Sequence, residues 1–211
     1  MRLPVRGDGV EPVEIGAVYT IGLNYRDPVQ PEAAGPERPL VYGKASSSLT
    51  ANGSVVSWDR ALTDNVDGEC ELGVVIGPDG SVFGYTIVND ISSRDTWLDG
   101  DQWLLGKSMP GFCPVGPWIV PASELNPADL AVGCTINGDR IQDGRTSQMR
   151  FSIAQIVEFL GRHVALAPGD LIATGTPARL TTPPGPDRRL QPGDVVICSI
   201  EGIGELTNSI A

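Results

Sequence analysis

Glu69-Cys70-Glu71-Leu72-Gly73-Val74-Val75-Ile76-Gly77, a turn at Pro78-Asp79-Gly80, and Ser81-Val82-Phe83-Gly84-Tyr85-Thr86-Ile87-Val88-Asn89-Asp90 form the stretch that decides the fold. Two β-branched apolar runs flank a Pro-Asp-Gly turn, which is the pattern of a β-hairpin. Side chains alternate faces along a strand, so Glu69 and Glu71 share one face and Cys70 takes the other. Asp90 closes the second strand, where the hairpin register can bring it beside the two glutamates. Three carboxylates among strongly apolar neighbours are costly to bury without positive charge between them. An all-oxygen ligand set suits a hard divalent cation such as magnesium, manganese or calcium. The same Glu-x-Glu spacing also describes a solvated strand face, and spacing alone leaves both readings open.

Outward from this hairpin, the composition points the same way. A chain of 211 residues can bury a sizeable core, and residues 1–211 are read as one domain. Helix-period patterns are scarce, whereas 26 glycines and 18 prolines are spread along the chain, which predicts many short strands joined by turns. A formal net charge of −11, with no basic run, excludes nucleic acid as a partner. It also requires any anionic substrate to find its positive charge locally. No apolar run is long enough to span a bilayer, and Met1-Arg2-Leu3-Pro4-Val5-Arg6 lacks the apolar core of a signal peptide. Cys70, Cys113, Cys134 and Cys198 form no C-x-x-C pair and lie in apolar contexts. They read as buried small hydrophobes in a reducing compartment, so a cytoplasmic location is expected.

Further strands are predicted at Val18–Leu23, Pro39–Lys44, Ser54–Trp58, Phe112–Val120, Ala131–Gln142, Leu171–Thr174, Val195–Glu201 and Gly204–Ile210. The strand at Ala131–Gln142 is broken by an Asn137-Gly138 hairpin turn. Residues 59–68 read as an acidic loop, and Gly106 to Gly111 as a glycine-punctuated loop carrying one lysine, Lys107. Arg26 to Arg38 holds Pro28, Pro31 and Pro36, too many for a long helix. Residues 24–39 are therefore a candidate mobile lid, with a plain connector as the alternative. One main amphipathic helix is expected after Ser152, which with Gln155 makes a capping box ahead of Ile153, Ile156, Val157, Leu160 and Val164. The sole histidine, His163, falls at its C-terminal end, where a surface or capping role is the simpler reading.

Taken together, several motifs in order resemble the fumarylacetoacetate hydrolase (fumarylacetoacetase) family in its C-terminal catalytic domain. They are Ile21-Gly22-Leu23-Asn24-Tyr25, Glu69-Cys70-Glu71-Leu72, Gly84 through Asp95, Gly106-Lys107-Ser108, Pro114 through Trp118, Asn137-Gly138, and Pro168-Gly169-Asp170 through Thr174-Gly175-Thr176-Pro177. The resemblance implies a mixed, mainly β fold of the β-roll or sandwich type, a homodimer, and a magnesium or manganese ion. The ion's ligands fall on Glu69, Glu71 and Asp90. It also implies a small anionic 2-oxo acid or 1,3-dicarbonyl substrate whose enolate the metal stabilises. Lys107 and Arg94 match as catalytic cations, and Lys107, near the metal and other positive charge, is expected to have a lowered pKa and relay a proton. The alternative for Arg94 is a structural salt bridge to Asp95 or to a ligand carboxylate. Tyr25 and Trp97 match as substrate-binding positions, and Gly175 and Thr176 as a carboxylate clamp built from hydroxyl and N–H donors.

Two departures from the family pattern matter for function. Hydrolytic members carry a histidine and a glutamate shortly after the Asn-Tyr pair, whereas here Pro28 and Pro31 occupy those places and Glu32 comes one position late. A proline cannot make water nucleophilic. Trp97 stands where the family pattern shows a glutamine, which implies a more apolar or bulkier pocket. The expectation is therefore a metal-dependent decarboxylase, isomerase or tautomerase. The alternatives are a carbon–carbon bond hydrolase of the acylpyruvate type, or a catalytically silent protein that keeps the metal site.

Overall fold

The computed structural model describes every residue except 8, 28–29, 31–32, 96–101, 183–184 and 186. Pro28, Pro31, Glu32 and Trp97 thus lie outside the described residues, as does the middle of the candidate lid. In chain order the strands are β1 Arg2–Leu3, β2 Val13–Glu14, β3 Val18–Gly22, β4 Leu40–Lys44, β5 Leu49–Ala51, β6 Val55–Val56, β7 Val66–Asp67 and β8 Cys70–Ile76. They continue with β9 Val82–Asn89, β10 Ser92–Ser93, β11 Cys113–Pro121, β12 Ala131–Ile136, β13 Asp139–Arg145, β14 Leu171–Ala173, β15 Val195–Ile200 and β16 Gly204–Ile210. Two α-helices, α1 Trp103–Lys107 and α2 Ile153–Gly161, and three short 3-10 turns complete the described elements. The expected mainly β class with one main amphipathic helix is what the chain adopts.

A seven-stranded sheet runs β4-β3-β14-β8-β9-β11-β5, and a five-stranded sheet runs β13-β12-β15-β16-β6. Every residue of β8 is buried, because both faces of the larger sheet are covered. Cys70, Leu72, Val74 and Ile76 point into the main core, with Cys134, Val196, Cys198 and Leu206 of the smaller sheet. Val75, Val88, Leu171 and Ala173 point the other way, into a second core closed by Leu3, Val5 and Ile15 near the N-terminus. This two-sided burial places Glu69 and Glu71 at the edge of the second core instead of on a solvated face.

Helix α2 forms where the capping box requires. The Ser152 hydroxyl accepts from Gln155 N–H at 3.3 Å, and the Gln155 side chain accepts from Ser152 N–H at 2.9 Å. Such a cap contributes about 1 kcal/mol, while Ile156 and Leu160 anchor the helix in the main core. His163 is exposed past the C-cap, its Nδ1 at 2.7 Å from the Phe159 carbonyl. The region of Lys107 differs from expectation: it is the last residue of α1, a helix of five residues, too short to show a period. The loop 59–68 likewise contains β7, which pairs with β10. All four cysteines are buried thiols. Among the described residues no helix is long and apolar enough to cross a membrane.

Candidate functional site

Glu69 immediately precedes β8 and Asp90 immediately follows β9. The antiparallel register pairs Cys70 with Asn89 and Glu71 with Val88, so Glu69 and Asp90 face each other across the strand ends. The Asp90 N–H donates to the Glu69 carbonyl at 2.9 Å, which fixes that closure. One carboxylate oxygen from each of Glu69, Glu71 and Asp90 lies within 4.8 Å of the others. The hairpin thus gathers the three carboxylates that the residue pattern singles out.

Their charges are compensated unequally. Asp90, 1 % exposed, accepts from Lys44 Nζ at 2.5 Å on one oxygen and from Lys107 Nζ on the other. Burial alone would raise its pKa, but Lys107 and Lys44 outweigh that and hold it well below the usual carboxylate range. Glu69, half-buried, pairs with Arg94 at 2.5 Å; burial still raises its pKa, against the pull of Arg94. Glu71 is 3 % exposed and accepts from the Gly175 N–H at 2.8 Å, with no cation in ion-pair contact among the described residues. Burial, then the charge of Asp90, pushes its carboxyl well above the ordinary range. A buried carboxylate in that state is a place for further positive charge. The donor set is all oxygen and hard, so Glu69, Glu71 and Asp90 fit a divalent cation such as magnesium or manganese.

The lowered pKa expected for Lys107 supposes a metal's charge beside it. Without that charge, burial would lower its pKa, but Asp90, Glu69 and Glu71 together raise it. It also donates to the Ser92 hydroxyl at 3.0 Å. Arg94 makes no pair with Asp95, whose carboxylate accepts from Ser93; it bridges Glu69 and Asp67, the latter at 2.9 Å. Asp67 in turn lies 3.6 Å from both Arg179 and Arg189.

The turn at Gly175-Thr176 is built differently from a clamp of open donors. Gly175 adopts φ +92, and a Cβ there would fall 2.9 Å from Asn24 Cβ and from the Ile21 carbonyl oxygen, so only glycine brings this N–H onto Glu71. The Thr176 hydroxyl donates to the Cys70 carbonyl at 2.7 Å and accepts from Gln142 Nε2 at 2.7 Å. Gln142 is fully buried and also accepts from Cys70 N–H at 2.9 Å, locking the turn to the start of β8. Asn24 holds the next layer, donating to the Thr174 carbonyl at 2.7 Å and accepting from Phe151 N–H at 2.9 Å. Tyr25, beside it, keeps a buried hydroxyl with no partner among the described residues.

These groups line one cavity of about 410 Å³. Glu69, Glu71, Asp90, Arg94, Lys107, Gly175, Thr176 and Tyr25 all contribute to it, so the described candidates converge. Three residues were missed from sequence. Lys44 ends a strand, where a lysine ordinarily reads as solvated, and Asp67 sat in the stretch read as an acidic loop. Gln142 offered no local signal, because its partners are 34 and 72 positions away.

Residues 17–211 match the family described as fumarylacetoacetate (FAA) hydrolase C-terminal. The chain belongs to the fumarylacetoacetate hydrolase family. An uncharacterized protein of Staphylococcus saprophyticus is 43 % identical over 205 residues, covering 92 % of this chain and 68 % of that protein. The crystal structure of a 5-carboxymethyl-2-hydroxymuconate delta-isomerase from Mycobacterium smegmatis superposes with a TM-score of 0.84 at 33 % identity, covering 95 % of this chain and 80 % of the other. A fumarylpyruvate hydrolase from Pseudomonas aeruginosa, crystallised with Mn2+ and pyruvate, gives a TM-score of 0.86 at 27 % identity, covering 100 % and 95 %. The family therefore spans isomerases and hydrolases on one fold, and at least one member of it takes manganese.

Proposed function

We propose that this chain is a divalent-metal-dependent decarboxylase, isomerase or tautomerase acting on a 2-oxo acid or 1,3-dicarbonyl compound. The observation that carries the choice of reaction is the absence of an imidazole from the cavity. The chain has one histidine, and His163 stands exposed at the far end of α2. Adding water across a carbon–carbon bond needs a base to activate that water, whereas losing carbon dioxide or shifting a proton needs a proton relay but no activated water.

In this reading Glu69, Glu71 and Asp90 hold magnesium or manganese. The ion supplies Lewis-acid polarisation of a carbonyl oxygen. The chain's own residues do the rest. Lys107 and Arg94 balance the acidic cluster, so that an anionic substrate is not repelled. Lys107 also carries a proton at Nζ beside the carboxylates, where it can be delivered to carbon when the neighbouring bond breaks. Tyr25, which also lines the cavity, has its pKa raised by burial and then by the charge of nearby Glu71. The apolar faces of Tyr42 and Trp103, which also line the cavity, keep water away from the reacting carbon.

A hydrolase of the acylpyruvate type is the second reading, supported by the likeness to the fumarylpyruvate hydrolase. The two separate by product. With Mn2+, oxaloacetate should yield pyruvate and carbon dioxide, or exchange its C3 protons with solvent faster than the metal alone achieves. Under the same conditions 2,4-dioxopentanoate should release no acetate on NMR. Acetate release at a comparable rate would establish hydrolysis instead, and the absence of any protein-dependent rate would leave a silent metal-site protein.

A further inference from the structure

The wall of the 410 Å³ cavity carries more basic side chains than carboxylates, although the chain as a whole has a net charge of −11. Three of those cations are committed. Lys107 is held by Asp90, Arg94 by Glu69 and Asp67, and Arg179 lies 3.6 Å from Asp67. Arg26 and Arg150 are not. Among the described residues every other lysine and arginine except Arg38 pairs with a carboxylate. Arg26 and Arg150 are the two exceptions that line the cavity. Each side chain bonds to a backbone carbonyl instead: Arg26 Nη1 to Met149 at 2.9 Å, and Arg150 Nη1 to Ala33 at 3.2 Å. A guanidinium carries five N–H donors, so most of each fork is left for another acceptor. Arg26 is exposed and Arg150 half-buried, so both are within reach of a ligand.

The backbone brings the two together. Tyr25 and Met149 form an antiparallel bridge, the Arg26 N–H donates to the Gln148 carbonyl at 3.0 Å, and the Arg150 N–H donates to the Asn24 carbonyl at 2.6 Å. Arg26 therefore stands opposite Gln148, and Arg150, two residues on, is its diagonal neighbour, a separation of about 7–8 Å that long side chains bridge. The Arg26 guanidinium rests on the Met149 carbonyl, whose peptide bond leads to Arg150. A Cβ on Gly35 would fall 2.5 Å from Arg150 Cζ, so the missing side chain lets that guanidinium lie against the backbone. Both forks are thus positioned in advance, which lowers the cost of binding. The carboxylates that fit the ion have other partners, Arg94 for Glu69, Lys44 and Lys107 for Asp90, and the Gly175 N–H for Glu71, so this pair stands apart from them. A planar guanidinium matches a carboxylate with two parallel hydrogen bonds. We propose that Arg26 and Arg150 form a second anion subsite of the cavity, a specificity-determining pair that takes a carboxylate at the end of the substrate remote from its 2-oxo acid group. This assignment rests on the metal-dependent 2-oxo acid reading above and adds to it a preference for diacids, set by these two residues.

The test compares 2-oxoglutarate with 2-oxopentanoate, and 2-oxoadipate with 2-oxohexanoate, by titration calorimetry on the Mn2+-loaded chain. Within each pair the carbon count is equal and a carboxylate replaces a methyl group. The wild type should bind at least one diacid more tightly than its monoacid by about 10- to 100-fold, the scale of one hydrogen bond between charged groups. Arg26→Gln and Arg150→Gln should each cut that preference about tenfold or more. Both should leave the affinities for the monoacids and for Mn2+ unchanged, which also shows that the variants fold. Arg150→Lys, which keeps the charge and loses the fork, should fall between wild type and Arg150→Gln. A wild type without preference, a preference that survives in either glutamine variant, or an equal loss for diacid and monoacid overturns the assignment and leaves the 2-oxo acid reading standing. If none of the four acids binds the Mn2+-loaded wild type, that reading fails and takes the assignment with it.

Discussion

At the β8–β9 end of the cavity each carboxylate meets a donor: Lys44 and Lys107 for Asp90, Arg94 for Glu69, the Gly175 N–H for Glu71. On β3 and just beyond it, Thr20 and Tyr25 hold buried hydroxyls with no such partner among the described residues. The difference follows from magnitude. Leaving a neutral hydroxyl unpaired costs about 1–3 kcal/mol, whereas an uncompensated buried charge costs several kcal/mol and can decide whether a domain folds. The charged end must be nearly complete before any ligand arrives, while a neutral hydroxyl can be left unpaired at modest cost.

The sharpest way to break this comparison is Asp90→Asn. Removing the anion leaves Lys44 and Lys107 buried around a neutral amide, and urea denaturation should show a loss of about 3–5 kcal/mol. An unchanged midpoint would mean that other groups balance the lysines. Glu71→Gln should behave differently, because among the described residues Glu71 has no cation in ion-pair contact to strand. Its metal-free form should be as stable as the wild type or more so, while calorimetry shows Mn2+ affinity weakened by at least about 100-fold, the upper end of what losing a group that merely orients a metal ligand costs. Equal destabilisation by the two substitutions would erase the distinction between a balanced and an unbalanced carboxylate. The smallest effect belongs to His163→Ala, outside both regions. It should shift stability by less than about 0.5 kcal/mol and leave the rate with oxaloacetate unchanged; a lost rate would return an imidazole to the chemistry.

The two regions were not equally legible in sequence. Glu69, Glu71 and Asp90 could be brought together on paper, because period-two alternation and a hairpin turn are local rules. Ser152 and Gln155 announced α2 for the same reason. The compensation around the carboxylates was opaque: Lys44 reaches Asp90 across 46 positions and Gly175 reaches Glu71 across 104, and neither pairing leaves a local pattern. The lowered pKa expected of Lys107 rests on a metal's charge beside it, whereas the carboxylates Asp90, Glu69 and Glu71 by themselves raise it.

The place of β3 in the larger sheet bears on how the chain reaches its folded form. β3 lies between β4, only a lid-length away in sequence, and β14, which it meets in parallel at Leu171–Val18 through Ala173–Thr20. Closing that ladder spans some 150 residues, and pairings of such separation slow folding because the loop must close before contacts reward it. During synthesis β3 and β8 wait as open edges until β14 emerges to join them. An open edge invites pairing with other chains, and the three residues Leu171 to Ala173 are what closes both edges at once.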